Sequence, residues 1–124
     1  MPVMAKQETV RRIKSYSAAT GSVYQYQFHE IRPAADRAEA GNEFIYYVSA
    51  DRKTMFLVRI FVQRRALEAW TERTGRALTG TEEYALAKMR LFQAFDEVED
   101  FAEKRPELAV DDSNLAELLE RLDL

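Results

Sequence analysis

The chain has 124 residues, a formal net charge of −3 and no cysteine, so its length predicts a single domain spanning residues 1–124 with enough core to fold unaided. The absence of cysteine excludes disulfides, thiol nucleophiles and cysteine-ligated zinc. Because there is neither a secretory signal nor a run of 18 apolar residues, we expect a soluble, cytoplasmic protein without membrane contact, and the abundance of alanine and of arginine over lysine suggests a bacterial source.

The first half of the chain has the alternating pattern of strands. Residues 1–9 precede that pattern and are expected to form a flexible arm. A short strand is predicted within residues 10–17, followed by a longer strand over about 22–31. Two further apolar runs, residues 43–50 and 54–64, are separated by a short link, which predicts an antiparallel hairpin. The second of these runs is apolar on both faces, which predicts a central strand covered on both sides.

The second half of the chain has helical periodicity. A short helix is predicted over residues 65–74, and a long one over residues 79–104. Thr79 and Glu82 have the spacing of a capping box at the start of the long helix. Together the two halves predict an α+β fold, in which an antiparallel sheet of three or four strands carries two or three helices on one face.

A final amphipathic helix is predicted to begin at Asp112 or Ser113. Its leucines recur at three and four residues, which places them on one stripe that needs cover. The helix either folds back on the sheet or projects and meets a second copy. We favour the second alternative, which predicts an oligomer interface, and therefore a homodimer, through Leu115, Leu118, Leu119 and Leu122.

Aromatic rings occupy every second position of the strand at 22–31, among them Tyr24 and Tyr26. Exposed rings stack on bases, and Arg11, Arg12 and Lys14 would supply phosphate contacts, so single-stranded nucleic-acid binding is one hypothesis. The opposite face of the strand is polar, however, which favours the rings as the inner face of the sheet. We favour the core interpretation and regard nucleic acid as an unlikely partner.

Arg59 lies between two apolar residues of a strand predicted to be central. A buried guanidinium needs a partner. If the hairpin loop has an even number of residues, Arg59 lies opposite Tyr46. The pattern then predicts either a structural contact with Tyr46, Glu43 or a helix carboxylate, or a pocket for a small anionic ligand that uses Arg59, Tyr46 and Glu43. A third possibility is that Arg59 reaches solvent at an edge of the sheet.

The sequence contains no recognisable catalytic arrangement. Its single histidine, His29, is predicted on the polar face of a strand, away from any nucleophile. No phosphate-binding loop can be built from four scattered glycines, and we expect neither a metal nor a cofactor. The leading hypothesis is therefore a non-enzymatic interaction or regulatory module that self-associates, with an additional protein partner possible. Nucleic-acid binding and the pocket at Arg59 are the alternatives.

Overall fold

A computed structural model of the protein describes residues 12–124. The arm predicted for residues 1–9 lies outside them. The elements, in chain order, are β1 (Lys14–Ser17), β2 (Val23–Pro33), β3 (Gly41–Ser49), β4 (Phe56–Gln63), α1 (Arg64–Thr74), α2 (Gly80–Glu97), α3 (Phe101–Lys104), β5 (Leu108–Val110) and α4 (Leu115–Arg121). Within the described residues, none of the helices has the length and apolar character needed to cross a membrane.

The strands form one sheet with the order β1-β2-β3-β4-β5. The first four strands pair antiparallel as a meander, whereas β5 pairs parallel to β4. The predicted α+β class is confirmed, with the antiparallel sheet in the first half of the chain and the helices in the second. The strand β5 is not predicted from the sequence, because three residues are too few to show a period of two.

The aromatic face of β2 lies in the hydrophobic core, as predicted. Tyr24 is only 2% exposed, and Tyr26 is also buried. The Tyr24 ring stacks on Phe95 of α2 with centroids 4.4 Å apart and meets Phe101 of α3 edge-on at 5.9 Å. The rings therefore attach the sheet to the helices by the offset and edge-on contacts that aromatic pairs prefer.

The capping box at the start of α2 is present, with Thr79 accepting from the backbone of Glu82 and the Glu82 side chain accepting in return. The prediction of one helix over residues 79–104 is wrong. The backbone is extended at Val98 and left-handed at Asp100, where φ is 57°. This break turns the chain so that α3 places the fully buried side chain of Phe101 in the core.

The leucine stripe of α4 also lies in the chain's own core. Leu115, Leu118 and Leu119 are buried and Leu122 packs against them, where α4 meets α1 and α2. The prediction that these leucines form an oligomer interface is therefore corrected, because the chain's own core already covers them. The helix begins after Asn114, rather than at Asp112 or Ser113.

Candidate functional site

Within residues 12–124, one face of the sheet carries no helix, and we call it the open face. Along β4 the side chains of Leu57, Arg59 and Phe61 lie on it, and along β3 those of Glu43 and Ile45. Leu57 is 46% exposed and Arg59 is exposed. The prediction that β4 is covered on both sides is therefore wrong for its first half, where Leu57 and Arg59 are exposed on the open face.

The register of the hairpin separates two residues that were expected to meet. Arg59 pairs with Ile45, whereas Tyr46 pairs with Val58. An odd number of residues, 49–55, separates the closing pair, and a shift of one residue moves a side chain to the other face. Tyr46 is consequently fully buried on the helix side, so Arg59 is neither buried nor in a pocket with Tyr46.

The loop at residues 34–40 covers one end of the open face. It places the guanidinium of Arg37 over the ring of Phe61, 4.2 Å from the centroid. The loop ends at Gly41, whose backbone lies close to β4. Only glycine fits at this position, because a Cβ on Gly41 would lie 2.3 Å from the carbonyl oxygen of Val62. The loop thus brings a second arginine to the face that carries Arg59.

The carboxylate of Glu43 is held between two arginines. Its side chain is only 5% exposed, and its oxygens lie 3.6 Å from Arg32 Nε and 3.8 Å from Arg37 Nε. A buried carboxylate needs such partners, because an unpaired buried charge is strongly destabilising. The negative charge of Glu43 is therefore already neutralised from within the protein.

A cleft of about 510 Å³ opens where this face meets the segment after α3. We call it the arginine cleft, and it is lined by Asp36, Arg37, Glu43, Leu57, Val58, Arg59, Arg105, Pro106 and Glu107. Arg105 is oriented by its Nε, which donates to the carbonyl of Ala102 at 2.8 Å, and by the Phe56 ring, 4.6 Å from its guanidinium carbon.

Two arginines of the cleft differ from the rest in their partners. Among residues 12–124, no carboxylate lies within 4.0 Å of Arg59 or of Arg105. Arg37, by contrast, pairs with Glu43. The donors of Arg59 therefore remain available to a ligand that enters the cleft.

The residues predicted to bind nucleic acid do not form a stacking surface. The rings of Tyr24 and Tyr26 are buried, so no base can reach their faces. Arg11 lies outside the described residues, Arg12 is exposed, and Lys14 is on β1 opposite Tyr26. Basic side chains are thus exposed near β1, but the aromatic rings that the nucleic-acid hypothesis requires are not accessible.

The acidic end of α2 has a structural role. Asp96 accepts one hydrogen bond from the Tyr16 hydroxyl and another from the Ala19 amide, each 2.8 Å long. Burial and the neighbouring Asp96 carboxylate raise the pKa of Tyr16 to about 12. Over residues 12–124, no cluster of three or more histidine or acidic side chains has a geometry that would hold a metal ion.

Sequence reasoning found Arg59 and Glu43 but missed Arg37 and Arg105. The two missed arginines belong to a loop and to the end of a one-turn helix, where no periodicity predicts which way a side chain points. No family model, curated protein or solved structure gives a significant match to this chain. What the protein does must therefore be inferred from the cleft itself.

Proposed function

We propose that this protein is a non-catalytic binding module that holds a small anionic ligand in the arginine cleft. The observation that carries the proposal is the position of Arg59, which lines the cleft without a carboxylate partner while Glu43 is neutralised by other arginines. A guanidinium presents a planar fork of donors that matches a carboxylate or a phosphate. Arg105, which also lines the cleft, supplies a second positive group.

The other lining residues narrow the class of ligand. The volume of the cleft lies within the range of small-molecule sites, and the exposed side chain of Leu57 provides an apolar surface. Asp36 and Glu107 also line the cleft and would repel a multiply charged anion. These charges favour a ligand with one anionic group and additional hydrogen-bond donors, such as a hydroxy acid or an amino acid.

Heteronuclear NMR titration tests the proposal with three probes: inorganic phosphate, lactate and glutamine. We expect at least one probe to shift amides of residues 57–59 and 105–107 at millimolar concentration. A charge-assisted hydrogen bond contributes about 1.5–3 kcal/mol, so Arg59→Met should weaken binding by roughly ten- to a hundredfold. Arg73→Met, which removes an exposed arginine of α1 away from the cleft, is the matched control and should leave binding unchanged.

Two results would contradict the proposal. One is the absence of any localised shift with all three probes. The other is equal binding by the Arg59→Met and Arg73→Met variants, since binding would then not use the cleft. Circular dichroism of both variants confirms that the fold is kept, which is expected because Arg59 and Arg73 are exposed.

Self-association stays a prediction of the sequence, as do the cytoplasmic location and the bacterial source. The leucines on which the homodimer prediction depends are buried in the chain's own core, so a dimer would have to use another surface. Sedimentation velocity over a range of concentrations distinguishes monomer from dimer. A strict monomer would refute the homodimer prediction, and the proposed function would then rest on the cleft alone.

A further inference from the structure

Two lysines converge on the helix side of the sheet, away from the arginine cleft. Lys14 of β1 is the cross-strand partner of Tyr26, and Lys88 of α2 places its Nζ 5.8 Å from the centroid of the same ring. The Lys88 Nζ also lies 5.8 Å from the centroid of Tyr84 and 6.0 Å from that of Phe92. Three aromatic rings therefore surround the amine of Lys88.

No negative group balances these two lysines within residues 12–124, where neither has a carboxylate within 4.0 Å. The titratable groups that face Lys88 are Lys14, Tyr26 and Tyr84, and phenols are neutral at pH 7. The neighbouring Tyr46 is buried, and burial raises its pKa above the ordinary value of a phenol. Asp96, further along α2, accepts hydrogen bonds from the Tyr16 hydroxyl and a backbone amide.

This environment disfavours the charged form of Lys88. Partial burial among the rings removes water from the ammonium group, and the adjacent charge of Lys14 repels it; both effects lower the pKa of Lys88, burial more than Lys14. The attraction of the rings for a cation opposes these effects only partly. Lys88 is half-buried and Lys14 is exposed, so a small solute can approach the pair from solvent.

We propose that Lys88 is a nucleophilic amine that forms an imine with a small 2-oxo acid, whose carboxylate pairs with Lys14. A lysine desolvated by apolar groups beside a second cation is activated in this way. The neutral Nζ attacks the carbonyl carbon and forms a C–N bond, while the carbonyl electron pair moves to oxygen, which takes up a proton. Loss of water and of the nitrogen proton gives the C=N bond, with no change in oxidation state overall.

Reductive trapping of the whole protein at pH 7 tests the inference. Glyoxylate is the probe, cyanoborohydride reduces the imine to a stable secondary amine, and peptide mass mapping gives the rate at each lysine. Lowering the pKa of an amine raises its neutral, nucleophilic fraction at pH 7. We therefore expect Lys88 to react faster than the exposed Lys53 and Lys104.

Variants separate the two roles. Lys88→Arg should abolish the fast reaction, and Lys53→Met, the matched control, should leave it unchanged. Lys14→Met should slow trapping of glyoxylate more than trapping of acetaldehyde, because only glyoxylate has a carboxylate for Lys14 to bind. A rate at Lys88 no higher than at Lys53 and Lys104 would overturn the inference, and an equal effect of Lys14→Met on both probes would refute the role of Lys14 in holding the carboxylate.

Discussion

Replacing Tyr24 with alanine is the sharpest test of the interior position of the aromatic strand. The side chain is 2% exposed and lies against Phe95 and Phe101. Truncating a buried aromatic residue to alanine costs about 3–5 kcal/mol, because apolar contact is lost and a cavity remains. The two ring pairs account for about 0.5–1.5 kcal/mol each within that loss. Because a domain of this size has a free energy of unfolding of about 5–15 kcal/mol, the variant should lose a large share of its stability.

The assay is equilibrium unfolding in urea, followed by far-ultraviolet circular dichroism and by the fluorescence of Trp70. Tyr47→Ala is the matched control, because Tyr47 is a half-buried tyrosine on the open face of the adjacent strand. Its loss should cost no more than about 1 kcal/mol. If Tyr24→Ala lowered the free energy of unfolding as little as Tyr47→Ala, the Tyr24 ring would not be in the core. The hypothesis that this ring stacks on a ligand would then be supported.

Three other substitutions test local features. Gly41→Ala should destabilise the fold by about 1–3 kcal/mol through the clash with the neighbouring strand, whereas Gly80→Ala, with open space around it, should be neutral or slightly stabilising in the same unfolding assay. Thr79→Ala should cost about 0.5–2 kcal/mol by removing the helix cap, and Thr81→Ala, two residues further on, should cost less. The raised pKa of Tyr16 stabilises the fold fully below about pH 10, and this stabilisation is lost as the pH rises towards 12, so Tyr16→Phe should flatten the fall in the urea midpoint over that range.

Periodicity was sufficient to predict the helix-facing side of the sheet and the start of α2. The alternation around Tyr24 and Tyr26 identified the buried face, because side chains of a strand alternate strictly. The capping box at Thr79 was predictable because it depends on residues three apart. Features of this kind are local, so sequence alone contains the necessary information.

The arginine cleft depends on contacts that no local pattern encodes. Arg59 was recognised as unusual, but its neighbour across the hairpin depends on the length of the turn, which the sequence left open. Arg37 and Arg105 reach the cleft from segments distant in the chain, and Arg105 follows the break at Asp100 and the short helix α3. Only the folded chain brings the three together.

The parallel pairing of β5 with β4 bears on how the protein folds. The meander of β1 to β4 joins strands that follow one another directly, whereas the pair Ile60–Leu108 closes a long loop containing three helices. Closing such a loop costs chain entropy before any contact compensates, so non-local pairs form late. We expect the amides of β5 to gain protection after those of β2 and β3 in pulsed hydrogen exchange. The wall formed by Arg105 and Glu107 directly precedes β5, so the cleft would assemble only in the last stage of folding.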